Sequence, residues 1–132
     1  MEADINGAQR KVVASWVRPT KTSHGTEGIP IKDGKTLPFR VYRAWSAPAG
    51  HYPEQWFLVH PETKEVLHEG PAPTRLVWGL QSLTEFTTEV DEPLELAPGK
   101  YLIVFALGSM KGGELEVLAG DLDDLGAGQR LA

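Results

Sequence analysis

Cysteine is absent from the 132 residues, and with it go disulfides, thiolate nucleophiles and cysteine-ligated zinc. Long apolar runs are also missing. Nowhere do roughly eighteen apolar residues follow one another, so the sequence contains no membrane-spanning helix. The chain opens Met1-Glu2-Ala3-Asp4, without a basic segment leading into an apolar one. No export signal is read, and the expected location is the cytoplasm, or a virion for a phage-encoded chain.

Basic residues are outnumbered, 13 Lys or Arg against 18 Asp or Glu, for a net charge of −5. Residues 1–43 hold eight basic side chains against four acidic, whereas residues 81–132 hold three against ten. Such polarity can steer unlike ends of neighbouring chains together. Eight basic residues interrupted by four acidic ones make a diluted patch, with no evident stripe of stacking aromatics, so nucleic acid is an unlikely partner on this reading.

What the chain does have is β patterning. Leu94 to Leu107 reads as a short alternating strand, a Pro98-Gly99 turn and an uncharged apolar run from Tyr101 to Leu107. Pro98 presets the first corner of a turn and Gly99 accepts the positive φ of the second, so the flanking strands are expected to turn back on each other. The apolar run requires cover on both faces, which places it centrally in a sheet. Further strands are expected at Lys11 to Arg18, Phe39 to Trp45, Trp56 to His60, Glu65 to Glu69, Thr84 to Val90 and Glu114 to Leu118. Around Pro61-Glu62-Thr63-Lys64, His60 should face Glu65 and Leu58 face Leu67, with Lys64 in the left-handed region where glycine is easier.

The fold class is therefore all-β: an antiparallel β-sandwich, immunoglobulin-like or jelly-roll, of seven to eight strands with an extended N-terminal arm or long loop. Residues 1–10 read as a flexible leader and 11–120 as the sandwich. Within it, 20–37 is a polar arm too long for an ordinary connection. Residues 121–132 form an acidic, Gly-rich tail.

Tests for chemistry return little. Gly28 to Thr36 has five residues between its glycines where a phosphate-binding loop has four, and a strand follows where a helix is needed. His60 and His68 fall on opposite faces of their hairpin and cannot share an ion without a bulge. Asp121, Asp123 and Asp124 lack the spacing and closing Glu of a calcium loop. No serine sits in a nucleophile elbow. Neither metal nor cofactor is called, and the chain is read as non-enzymatic. The partner-binding candidates are Trp45, Tyr52 and Trp56, which bracket the Ala47 to Gln55 loop, with Lys21, Lys32 and Lys35 on the arm. The competing reading places Trp16, Trp45, Trp56 and Trp78 in the core.

Glu92 to Val104 resembles the strand, Pro-Gly, Tyr, strand signature of immunoglobulin-like and prealbumin-like sandwich modules. Val59 to Leu67 is similar to a hairpin common in bacterial and phage proteins. The small cysteine-free sandwich, polar arm and opposed end charges resemble decoration or minor structural proteins of bacteriophage capsids and tails. That resemblance implies an assembly module binding a protein partner or further copies of itself. The second candidate is a small-ligand or carbohydrate-binding sandwich using the rim aromatics.

Overall fold

A computed structural model describes residues 9–21 and 26–125. The leader before Gln9, the 22–25 part of the arm with His24, and the tail beyond Leu125 lie outside the described residues. Among the described residues ten strands run in chain order: β1 (Lys11–Pro19), β2 (Ile29–Lys32), β3 (Lys35–Thr36), β4 (Phe39–Ser46), β5 (Gly50–Val59), β6 (Val66–Glu69), β7 (Thr74–Val77), β8 (Thr84–Val90), β9 (Gly99–Leu107) and β10 (Met110–Gly120). Three form a sheet in the order β1-β4-β8, and the others form a second in the order β3-β2-β10-β9-β5-β6, with β7 also pairing β5. The all-β, two-sheet expectation holds, with more strands than anticipated. The pairing of β10 with β2 is parallel, Ala119 opposite Ile29. No helix among the described residues is long and apolar enough to cross a membrane.

The chain divides into two compact units. In the first, formed by Met1–Ser15, Arg43–Phe86 and Leu102–Leu115, β5 pairs antiparallel with β9 from Glu54 opposite Leu107 to Val59 opposite Leu102. Alternation turns Trp56 and Leu58 of β5 and Ile103, Phe105 and Leu107 of β9 into the core, all at most 1% exposed. The second unit comprises Trp16–Tyr42, Thr87–Tyr101 and Glu116–Ala132. Its core is Val17, Ile29, Ile31, Phe39, Val41, Val90, Leu96, Val117 and Leu125.

Several local expectations need correction. Leu94 to Leu96 does not turn back on Tyr101 to Leu107. Thr36 captures it instead: the Thr36 amide donates to Leu94 O at 2.8 Å and its hydroxyl accepts from the Leu94 amide at 2.9 Å. Lys35 also bridges to Glu95. The second half of the presumed arm is a folded hairpin of β2 and β3. Asp33 and Gly34, at φ 55° and 78°, make the left-handed corner that Asp-Gly favours in two-residue hairpins. The arm reading was carried by its polar residues. Ile29 and Ile31, which fill the core, decide the structure instead.

The β5 and β6 pairing carries a bulge between Leu58 and Val59, so Leu58 faces His68 and not Leu67. Lys64 adopts φ 65°, as the loop length required. The β9 and β10 turn falls at Gly108-Ser109, and Met110 to Gly113 belongs to the strand. The tail begins with a helical turn ending on the buried Leu125, and the Asp121 carboxylate accepts from the Asp123 amide at 2.9 Å.

Candidate nucleic-acid interface

The sequence candidates do not converge. Trp45 and Trp56 are both fully buried, so neither is a rim aromatic. Each sits at an inward position of its strand, and the indole Nε1 of Trp45 donates to Glu54 at 3.0 Å. Tyr52 is half-buried. Its hydroxyl donates to Pro48 O at 3.0 Å and the Arg10 guanidinium lies 4.6 Å from its ring centre. Lys32 and Lys35 are exposed beside the Asp33-Gly34 turn. Lys21 is also exposed, and it joins a different group of side chains.

That group lies in the second unit. Trp16 on β1 stacks on Tyr42 of the neighbouring strand β4, ring centres 5.1 Å apart and planes 16° from parallel. The Arg18 guanidinium lies 4.3 Å from the Trp16 ring centre, close enough for a cation-π contact. Residues two apart on a strand share a face. Trp16 therefore shares its face with Arg18, and Tyr42 with Arg40. Val17, Phe39 and Val41 take the alternate positions and are buried, so the aromatic pair and both arginines stand on the half-exposed side. Sequence reasoning assigned the alternation in both strands but did not pair β1 with β4. An aromatic-x-Arg triplet in one strand and an Arg-x-Tyr triplet in another was the available signal.

Both arginines carry carboxylate partners. Arg18 donates to Glu27 at 3.3 Å and Arg40 to Glu89 at 3.2 Å, with side chains 41% to 52% exposed. Exposed pairs of this kind are weakly held and exchange readily for another anion. The Asp91 carboxyl is hydrogen-bonded to Glu89. This bond and then Arg40 hold the Glu89 pKa below the usual range, while Glu89 pushes that of Asp91 up. Lys21 acts on both carboxyls electrostatically. Among the described residues no group of three or more His, Asp or Glu side chains could hold a metal ion. The His60 Nδ1 accepts from the amides of Glu62 and Thr63 at 3.2 and 3.3 Å, so it serves its own loop.

No family model matches the chain, and no curated protein matches it closely enough to be a relative. Among solved structures, the chain is similar to a Pseudomonas fluorescens alkylpurine DNA glycosylase, AlkC, bound to DNA containing an abasic site analog. The TM-score is 0.57 at 12% sequence identity, over 86% of this chain. The match spans 31% of the glycosylase, so the fold corresponds to about a third of that protein.

This likeness corrects four expectations. The immunoglobulin-like, prealbumin-like and phage resemblance is replaced by a fold seen within a DNA glycosylase. The Glu92 to Val104 signature that carried it does not form its hairpin, because Leu94 bonds to Thr36 and Leu96 to Gly34. The assembly and carbohydrate readings lose their basis: Trp45 and Trp56 are core residues, and the fold neighbour is a DNA-bound protein. The non-enzymatic reading and the dismissal of nucleic acid are withdrawn on the same finding, since the fold recurs within an enzyme bound to DNA.

Proposed function

We propose that the chain is a DNA-contacting β module that works with, or as part of, a DNA-processing enzyme. The observation that carries this reading is the Trp16 and Tyr42 stack, set on a strand face with Arg18 and Arg40 beside it. An aromatic surface gives an unpaired base somewhere to stack once the Arg18 guanidinium over the Trp16 ring turns to phosphate, which guanidiniums bind. The fold likeness to a DNA-bound glycosylase supports the same direction.

Single-stranded or locally opened DNA suits this surface better than an intact duplex, whose bases present no free π-face. Lys21 adds a third cation, while Glu27, Glu89 and Asp91 offset all three. The interface is therefore one of modest affinity, with stacking contributing more than charge. A fluorescence-anisotropy titration of labelled oligothymidylate, and of a duplex with an abasic gap, tests the reading. Trp16→Ala should weaken binding by about 1–3 kcal/mol, roughly five-fold or more. Absence of binding by the full chain at low salt, or an unaltered affinity for Trp16→Ala, would overturn it.

A further inference from the structure

The uncharged run of β9 calls for apolar cover on both faces, and the first unit supplies it on one. Ile103, Phe105 and Leu107 are fully enclosed, whereas Val104, on the other face, is half-exposed. There Val104 and Leu102 join Phe57 and Val59 of β5 and Val66 of β6 around an open cavity of about 320 Å³. Val66 at its edge is 48% exposed. The volume is at the small end of ligand-binding clefts. Such a wall selects an apolar body.

The rim selects a charge. Lys64, Lys111 and Glu114 border the cavity. Lys111 is paired with Glu114 at 2.7 Å, and Lys64 has no ion pair among the described residues. Lys64 and Lys111 both draw the Glu114 pKa down, which places the three charges within electrostatic reach of one another with one positive charge in excess. Lys64 also occupies the left-handed region, φ 65°, where glycine would be unstrained. The loop sets this conformation whatever residue occupies it, so what lysine adds at the mouth of the cavity is its ammonium.

We infer that this cleft binds a small amphipathic anion, an aliphatic chain of medium length ending in a carboxylate, with the chain lying over Phe57, Val66 and Val104 and the carboxylate on Lys64. The site is independent of the aromatic face of the second unit and stands or falls separately from it.

Displacement of anilinonaphthalene sulfonate fluorescence from the full chain by decanoate, with decylamine as the cationic counterpart, reads the site directly. Decanoate should compete saturably below roughly 1 mM and decylamine should not. Lys64→Gly should raise the melting temperature, by relieving the strained backbone, while weakening decanoate roughly two- to five-fold. Val66→Glu, at an exposed position that tolerates charge, should weaken decanoate and admit decylamine. Equal competition by the amine overturns the inference, as does undiminished decanoate binding by Lys64→Gly. So does a dimer, detected by light scattering, that Val66→Glu dissociates, for the face would then belong to a second copy.

Discussion

Glu54 of β5 holds Arg43 of β4 in a two-pronged ion pair, 2.6 Å to Nε and 2.5 Å to Nη2, with both side chains at most 1% exposed. The two strands belong to different sheets, so the pair joins the sheets inside the first unit. Two charges withdrawn from water repay their desolvation only while both are present. Glu54→Gln should therefore cost about 3–5 kcal/mol in urea unfolding, a large share of a typical domain's stability. The double change Arg43→Met with Glu54→Leu should recover most of it. About 1–2 kcal/mol should remain lost, because the Trp45 indole no longer has Glu54 as acceptor. A double variant as unstable as the single one would show that the pair itself, and not an orphaned charge, holds the sheets.

Gly112 lies where a Cβ would sit 2.2 Å from the Trp45 ring and 3.0 Å from the Arg10 carbonyl oxygen. Trp45 is wholly enclosed and cannot retreat. Gly112→Ala should thus destabilise by about 1–3 kcal/mol through overpacking. Gly113→Ala, whose Cβ would meet Val12 at 3.2 Å, should cost less. Denaturant midpoints at equal slope separate the two, and equal midpoints would count against the packing argument.

How much of this was legible beforehand depended on whether the deciding contact was local. Alternation in Phe39-x-Val41-x-Arg43-x-Trp45 already put an arginine in phase with core residues, and Glu54 stands in the same phase as Trp56 and Leu58. Charges in core register announce a partner, though only the fold pairs them. Lys64 in the left-handed region followed from loop length alone. The fate of Leu94 to Leu96 did not, because Leu94 bonds to Thr36, 58 residues away in sequence, and Leu96 to Gly34. The aromatic interface was hidden for the same reason: Trp16 and Tyr42 become neighbours only when β1 and β4 pair. Trp45 and Trp56 misled because a tryptophan near a loop reads alike whether it points outward or inward.

The aromatic interface has a predictable salt dependence. With Arg18, Arg40 and Lys21 as its cations, three phosphate contacts on a single strand give a slope of about −2 in log affinity against log salt. Arg40→Gln should make the slope shallower by roughly 0.7. Glu27→Gln and Glu89→Gln should each tighten binding, since a phosphate no longer has to displace a carboxylate from Arg18 or Arg40. Anisotropy titrations between 50 mM and 200 mM salt, a range over which such electrostatics change visibly, supply the test. Weaker binding by Glu89→Gln would mean that Glu89 positions Arg40 for its ligand and does not compete for it.

Acid should tighten the same interface. Glu89, held below its usual range by Asp91 and Arg40, supports the fold above the ordinary glutamate pKa and loses that support as pH falls through its lowered value. Asp91, pushed up by Glu89, behaves oppositely, its contribution being complete below the ordinary aspartate pKa and lost as pH rises through the raised one. The two act on global stability in opposite directions. Binding has no such cancellation. As pH falls from neutrality into the acid range, Asp91 takes up its proton before Glu89 does, and one negative charge leaves the neighbourhood of Lys21 and Arg40. Oligothymidylate, whose bases do not protonate there, should bind progressively more tightly. Asp91→Asn should show the acid-strengthened affinity already at neutral pH and lose the dependence. If affinity is flat over that interval, or if Asp91→Asn retains the full pH response, the carboxyl pair does not control the surface.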